Sequence, residues 1–139
     1  SMPKGCYEPW GIFRKPIPPK MTVSECLREW QTGGLRRTNE DKPFEDVIPS
    51  ERTPRRERAI ANHPSLKPQS FLRPLVWGAL PLGEGVIVDP FMGSGSTIAA
   101  TEAMGLKGIG IERFRDYYDM ASSAVRKLKE SKGPTAVLF

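Results

Sequence analysis

Apolar positions fall into a regular rhythm only in the second half of the chain. Over residues 69–80, Phe71, Leu72, Leu75, Val76 and Ala79 recur at helical spacing, which predicts a helix with one apolar face. Pro74 lies inside it, so a kink or a later start is expected. Val86, Ile87 and Val88 form a short all-apolar run, the pattern of a strand buried on both faces of a parallel sheet. A helix over 97–104 follows, closed by Gly105. Then come a strand over 107–111, a helix over 115–129 and a strand over 136–139. Strands alternating with helices predict an α/β fold, here half of a doubly wound sheet.

Before residue 63 the periodicity is weak. Pro16, Pro18 and Pro19 break any regular element. A short helix is expected over 22–30: Thr22 or Ser24 can cap it, and Val23, Leu27 and Trp30 share a face. Gly33 and Gly34 read as a turn into a basic segment, and residues 51–58 carry four arginines and two glutamates. The chain therefore divides into an irregular Pro/Arg-rich basic segment, 1–62, and a sheet-forming segment, 63–139.

Composition narrows the picture only a little. With 139 residues, the chain is one domain, long enough for a core, and its 14 prolines fit the irregular first half. A net charge of +5 suits a polyanionic partner such as nucleic acid without establishing one. Cys6 and Cys26 match no metal spacing and read as free thiols in a reducing compartment. No apolar run is long enough to span a membrane, so a cytoplasmic location is expected. Ser1 before Met2 reads as the remnant of an expression tag.

The candidate chemistry lies where the first strand ends. Val86-Ile87-Val88 runs into Asp89-Pro90-Phe91-Met92-Gly93-Ser94-Gly95-Ser96-Thr97, which is a strand, a tight loop and a helix N-terminus. Gly93 and Gly95 can take backbone angles closed to other residues and let a ligand approach. Ser96 and Thr97 stand where unpaired amides favour an anion. The dinucleotide fingerprint fails, because Ile98 replaces its third glycine, and no phosphate-loop lysine is present. A carboxylate is then a better anion than pyrophosphate. Glu112 ends the second strand 23 residues after Asp89, a distance suited to a ribose diol. Asp89 could face the cationic end of such a ligand, and Phe91 could lie over its adenine or sulfonium. The alternatives are that Asp89 only caps the loop and that Phe91 is core.

These residues resemble a family. Asp89 to Thr97 matches the D-P-F-x-G-S-G-[ST]-T cofactor motif of bacterial and phage DNA amino-methyltransferases. His63-Pro64-Ser65-Leu66-Lys67-Pro68 resembles the H-P-x-x-K-P segment that precedes it in the permuted branch. Gly110-Ile111-Glu112-Arg113, with Tyr117 and Tyr118 after it, resembles the second-strand motif and its helix. The resemblance implies a partial Rossmann-like methyltransferase sheet that binds S-adenosylmethionine (SAM). It implies cofactor contacts from His63, Lys67, Asp89, Pro90, Phe91, Gly93, Ser94, Gly95, Ser96, Thr97, Glu112 and Arg113. It also implies methylation of the exocyclic amine of adenine or cytosine, with DNA as partner.

One departure from the family matters. Its acceptor-binding motif, [DNS]-P-P-[YFW], does not occur in these 139 residues. Ile17-Pro18-Pro19-Lys20 lacks both flanking residues, and Glu8-Pro9-Trp10-Gly11 has a single proline. The resemblance therefore implies the carboxyl-terminal, SAM-binding part of an enzyme, with no catalytic residue of its own and inactive alone. A second polypeptide, or a second copy paired through an open sheet edge, would be its partner. The alternatives are an assembly module, or a methyltransferase for RNA or a small molecule. His63, the only histidine, could be a base or a metal ligand, but its place before Pro64 favours a contact beside the cofactor. The arginines of 52–58 read equally as phosphate ligands and as a salt-bridged surface.

Overall fold

Strand β1 (Val86–Asp89) pairs in parallel with β2 (Lys107–Gly110), with Val86 opposite Lys107 and Asp89 opposite Gly110. The computed structural model describes residues 8–131, and among them these two strands form the sheet. The expected strand over 136–139 lies outside the described residues. Among the described residues five helices complete the order: α1 (Val23–Trp30), α2 (Arg55–Ile60), α3 (Gln69–Ala79), α4 (Ser96–Ala103) and α5 (Arg115–Glu130). A helix, α4, links the two parallel strands, so the chain is α/β as the alternation predicts.

Side chains alternate across this sheet. Ile87, Gly108 and Gly110 face the helices: Ile87 packs with Leu72, Val76 and Ala100, and a Cβ on Gly108 would lie 3.2 Å from Thr101. Val86, Val88 and Ile109 point the other way and are 48%, 55% and 53% exposed. This corrects the expectation of a strand buried on both faces. The apolar run has helices against one side only, and no described element covers the other.

Helix α4 lies at the centre because its residues are small. Ala99, Ala100 and Thr101 are fully buried, which lets α3 and α5 approach it from either side. On α5, Ala121, Ala124 and Leu128 repeat at helical spacing and are the buried positions, so they form its inner stripe. Burying a leucine such as Leu128 contributes about 1.5–3 kcal/mol. Ala61 and Leu66 complete that cluster, which ties the stretch after α2 to the sheet-forming part.

Helix α3 runs unbroken through Pro74. Its inner side carries a polar chain rather than apolar packing alone. Glu57 of α2 accepts a hydrogen bond from the Gln69 amide at 3.1 Å, satisfying one of the amides left open at the start of α3. The Gln69 side chain donates to the Ser96 carbonyl at 2.9 Å, and Arg73 Nε donates to Gln69 Oε1 at 3.3 Å. Arg73 Nη2 reaches the Leu128, Lys129 and Ser131 carbonyls at 3.3, 3.0 and 3.1 Å. An acid thus meets a helix start and a guanidinium a helix end, each with favourable dipole sign. Burial lowers the pKa of the Arg73 guanidinium, and the Glu57 charge partly restores it.

In the first half, α1 has a capping box: Thr22 Oγ1 accepts from the Glu25 amide, and Glu25 Oε2 accepts from the Thr22 amide. Helix α2 is not anticipated by periodicity. It has six residues, too few to show a stripe, although Pro54 followed by Arg-Arg-Glu-Arg-Ala is a helix-start composition.

Candidate functional site

Pairing continues past the ends of both strands and shapes the glycine loop. The Ile111 amide donates to the Asp89 carbonyl at 2.8 Å, and the Met92 amide to the Ile111 carbonyl at 3.0 Å. The turn after Asp89 is thereby strapped to the end of β2. Gly93 follows with φ of 49°, and a Cβ there would come within 2.9 Å of the His63 ring. Gly95, with φ of 75°, is the residue before α4. Both glycines are required by backbone angle and by closeness of their neighbours.

The two strand-end carboxylates hold this loop. Asp89 Oδ1 accepts from the Phe91 amide at 3.0 Å, so the capping alternative for Asp89 is realised. Glu112 Oε2 accepts from the Gly93 amide at 3.0 Å and Oε1 from the Phe114 amide at 2.8 Å. The Glu112 carboxyl is held below the usual carboxylate range. The Phe114 amide is the main cause, opposed by partial desolvation; the amides of Gly93 and Arg113 and the His63 charge add to it. Glu112 therefore stays ionised to lower pH than an ordinary glutamate.

His63 belongs to the same cluster. Its ring meets Tyr117 edge-on, with centroids 4.5 Å apart, and its Nδ1 accepts from the Ser65 amide at 3.1 Å. The structure thus brings His63, Asp89, Gly93 and Glu112 around one loop, and adds Tyr117. Phe91 is 87% exposed, which removes the alternative that it is core. Pro90 is exposed as well, while Ser94 and Ser96 are buried beneath the loop. Thr97 lies in the first turn of α4 and gives its carbonyl to the Thr101 hydroxyl at 2.8 Å. The Arg113 guanidinium lies 5.5 Å from the Phe114 ring centre.

Lys67 lies apart from the loop. It forms an ion pair with Glu8. Both line an open cleft of about 760 Å³, together with Trp10, Arg52, Arg58 and His63. The glycine loop and Glu112 lie outside its walls, so His63 is the link between cleft and loop. Glu8 and Trp10 are otherwise engaged: Glu8 with Lys67, Trp10 edge-on to Phe44 at 6.2 Å. Tyr117 as the support of His63 is not visible in sequence, because 54 residues separate them. Among the described residues no cluster of three or more His, Cys, Asp or Glu could hold a metal ion. Nor is any described helix long and apolar enough to cross a membrane.

A parallel β–α–β unit with a glycine loop at the carboxyl end of its first strand and a carboxylate just past its second is a layout that recurs at nucleotide-binding sites of α/β proteins. A family model described as DNA methylase, covering N6 and N4 methyltransferases, matches residues 6–123; the chain belongs to this family. It is similar to the type II methyltransferase M2.DpnII of Streptococcus pneumoniae, with 30% identity over 73% of this chain and 36% of that protein. It is also similar to M2.LlaDCHI of Lactococcus lactis subsp. cremoris, at 29% over 67% of this chain and 34% of the relative. M.HinfI of Haemophilus influenzae is 34% identical over 55% of this chain and 21% of its own length. The chain thus spans between about a fifth and about a third of the relatives it matches. No solved structure matches.

Proposed function

We propose that the chain is the SAM-binding part of a DNA amino-methyltransferase of the permuted branch, and that β1 and β2 belong to a larger Rossmann-like sheet. The observation that carries this reading is the position of Glu112. Its carboxylate is fixed by two amides, one from the glycine loop and one from the residue preceding α5. A carboxylate has about four acceptor positions, so two remain for the hydroxyls of a ribose. Bound SAM would supply an electrophilic methyl group on a sulfonium. The free oxygen of Asp89 would face that cationic end. The exposed Phe91 ring offers an aromatic face to adenine, and His63, backed by Tyr117, walls the loop from the other side. The residues present are of the kinds this cofactor would need: Glu112 and Asp89 as acceptors for hydroxyls and a cation, and no side chain at Gly93 or Gly95.

The acceptor pocket is proposed to come from a polypeptide bearing a [DNS]-P-P-[YFW] motif. The edge of β1 unpaired among the described residues is where the remaining strands would pair, and the open face of Val86, Val88 and Ile109 is where the elements connecting them would pack. Tritium transfer from labelled SAM to unmethylated genomic DNA tests this. The chain alone is expected to transfer nothing, and mixing it with a polypeptide carrying that motif is expected to restore transfer. Turnover by the chain alone that is abolished by Trp10→Ala would contradict the proposal, because it would place the acceptor site in the single-proline segment.

A further inference from the structure

The arginine cluster before residue 60 changes meaning once its glutamates are placed. In sequence, Arg52, Arg55, Arg56 and Arg58 are balanced by Glu51 and Glu57. Glu57 is turned inward, only 1% exposed, with its carboxylate on the Gln69 amide. Its charge is no longer available to the surface. Arg52, Arg55 and Arg58 are exposed, and among the described residues none of the three forms an ion pair or a side-chain hydrogen bond. Arg55 and Arg58 stand three positions apart on α2, so they are neighbours about 5 Å apart on its surface. Arg52 lies in the lead-in to α2 and lines the same cleft as Arg58. Like charges so spaced repel each other, and a bound polyanion would relieve that repulsion.

The surroundings give the cluster a direction. Arg52 and Arg58 line the same cleft as His63, and His63 lies against the glycine loop at Gly93. Asp46 and Glu51 also line this cleft, and Glu8 there is neutralised by Lys67. With Glu57 buried, the four exposed arginines of 52–58 outnumber the exposed acids beside them, Asp46 and Glu51, and the excess charge is positive.

We infer that Arg52, Arg55 and Arg58 hold the phosphate backbone of duplex DNA beside the cleft that His63 also lines. This rests on the methyltransferase reading, which supplies DNA as the polyanion. The test is fluorescence anisotropy of a short labelled duplex with the full chain over a range of salt. The triple variant Arg52→Gln, Arg55→Gln, Arg58→Gln is compared with Arg115→Gln, Arg126→Gln, Lys127→Gln on α5, which removes the same charge elsewhere. The first is expected to flatten the slope of log affinity against log salt by about 2 to 3. The second should leave the slope unchanged, and the three arginines replaced by lysine should retain most of it. Because the substituted side chains are exposed, thermal midpoints should not fall.

Equal effects from the two triples would overturn the inference, since net charge alone would then explain binding. So would an unchanged slope, or binding to polyglutamate with the same arginine dependence and none to DNA. If DNA binding is absent while SAM still binds, this inference falls and the cofactor reading stands. If the arginine-dependent slope is found and SAM does not bind, the opposite holds.

Discussion

Replacing Arg73 with methionine is expected to lower the stability of the fold by about 3–5 kcal/mol, the range for breaking a buried charged network. The methionine keeps much of the length and loses every donor. Three carbonyls at the end of α5 then lose their common partner, and Gln69 Oε1 loses another. Glu57 loses the attraction of the Arg73 guanidinium, whose charge lies close enough to interact with it. No buried side-chain nitrogen or oxygen among the described residues is now without a hydrogen bond. The variant would create such orphans. Such a loss is a large part of the roughly 5–15 kcal/mol of a whole domain. Urea unfolding followed by far-UV circular dichroism measures it. A loss below about 1 kcal/mol, the level of an ordinary surface substitution, would show that the network is dispensable.

Gly95→Ala is expected to cost about 2–4 kcal/mol, from two separable sources. The first is backbone strain at φ of 75°, a region unfavourable to any residue with a Cβ. The second is collision: the new Cβ would lie 2.6 Å from Val125 Cγ2 and 3.1 Å from Ala121 Cβ. Val125 is β-branched and stiff, and the Ala121 Cβ cannot move without its helix, so α4 and α5 must separate. Gly105→Ala is the control. Its φ is 70°, yet no atom lies within 4 Å of where its Cβ would stand. That variant should show the strain cost alone, about 1–2 kcal/mol. Equal destabilisation of the two variants in the same urea experiment would mean that close packing of α4 on α5 contributes nothing.

The contrast between these residues explains what sequence reveals here. The frame around the loop was legible because it follows local rules. An apolar triplet, two glycines and a helix of small residues are each readable within a few positions, and Glu112 lies one β–α–β step from Asp89. The boundaries of α3, α4, β2 and α5 fall within a residue of expectation for the same reason. What connects the helices was not legible. Glu57, Gln69 and Arg73 read as surface residues by type, and their partners lie 12, 27 and up to 58 residues away. Only the folded chain shows that a glutamate among arginines points inward. An open edge at Val86 to Val88 was expected, but the open face of Val86 and Val88 was not: an apolar run reports what a strand could bury, not what is present to cover it.

The proposed function requires that this segment bind the methyl donor through its glycine loop and Glu112. Isothermal titration calorimetry of the chain with SAM tests it most directly, with Glu112→Ala alongside and circular dichroism confirming that the variant is folded. Saturable binding is predicted for the unmutated chain. Glu112→Ala should weaken it on the order of tenfold to a hundredfold, as for loss of hydrogen bonds to a charged group. The absence of heat from the unmutated chain at millimolar SAM, or equal affinity of the folded variant, would show that the glycine loop and Glu112 do not hold the methyl donor.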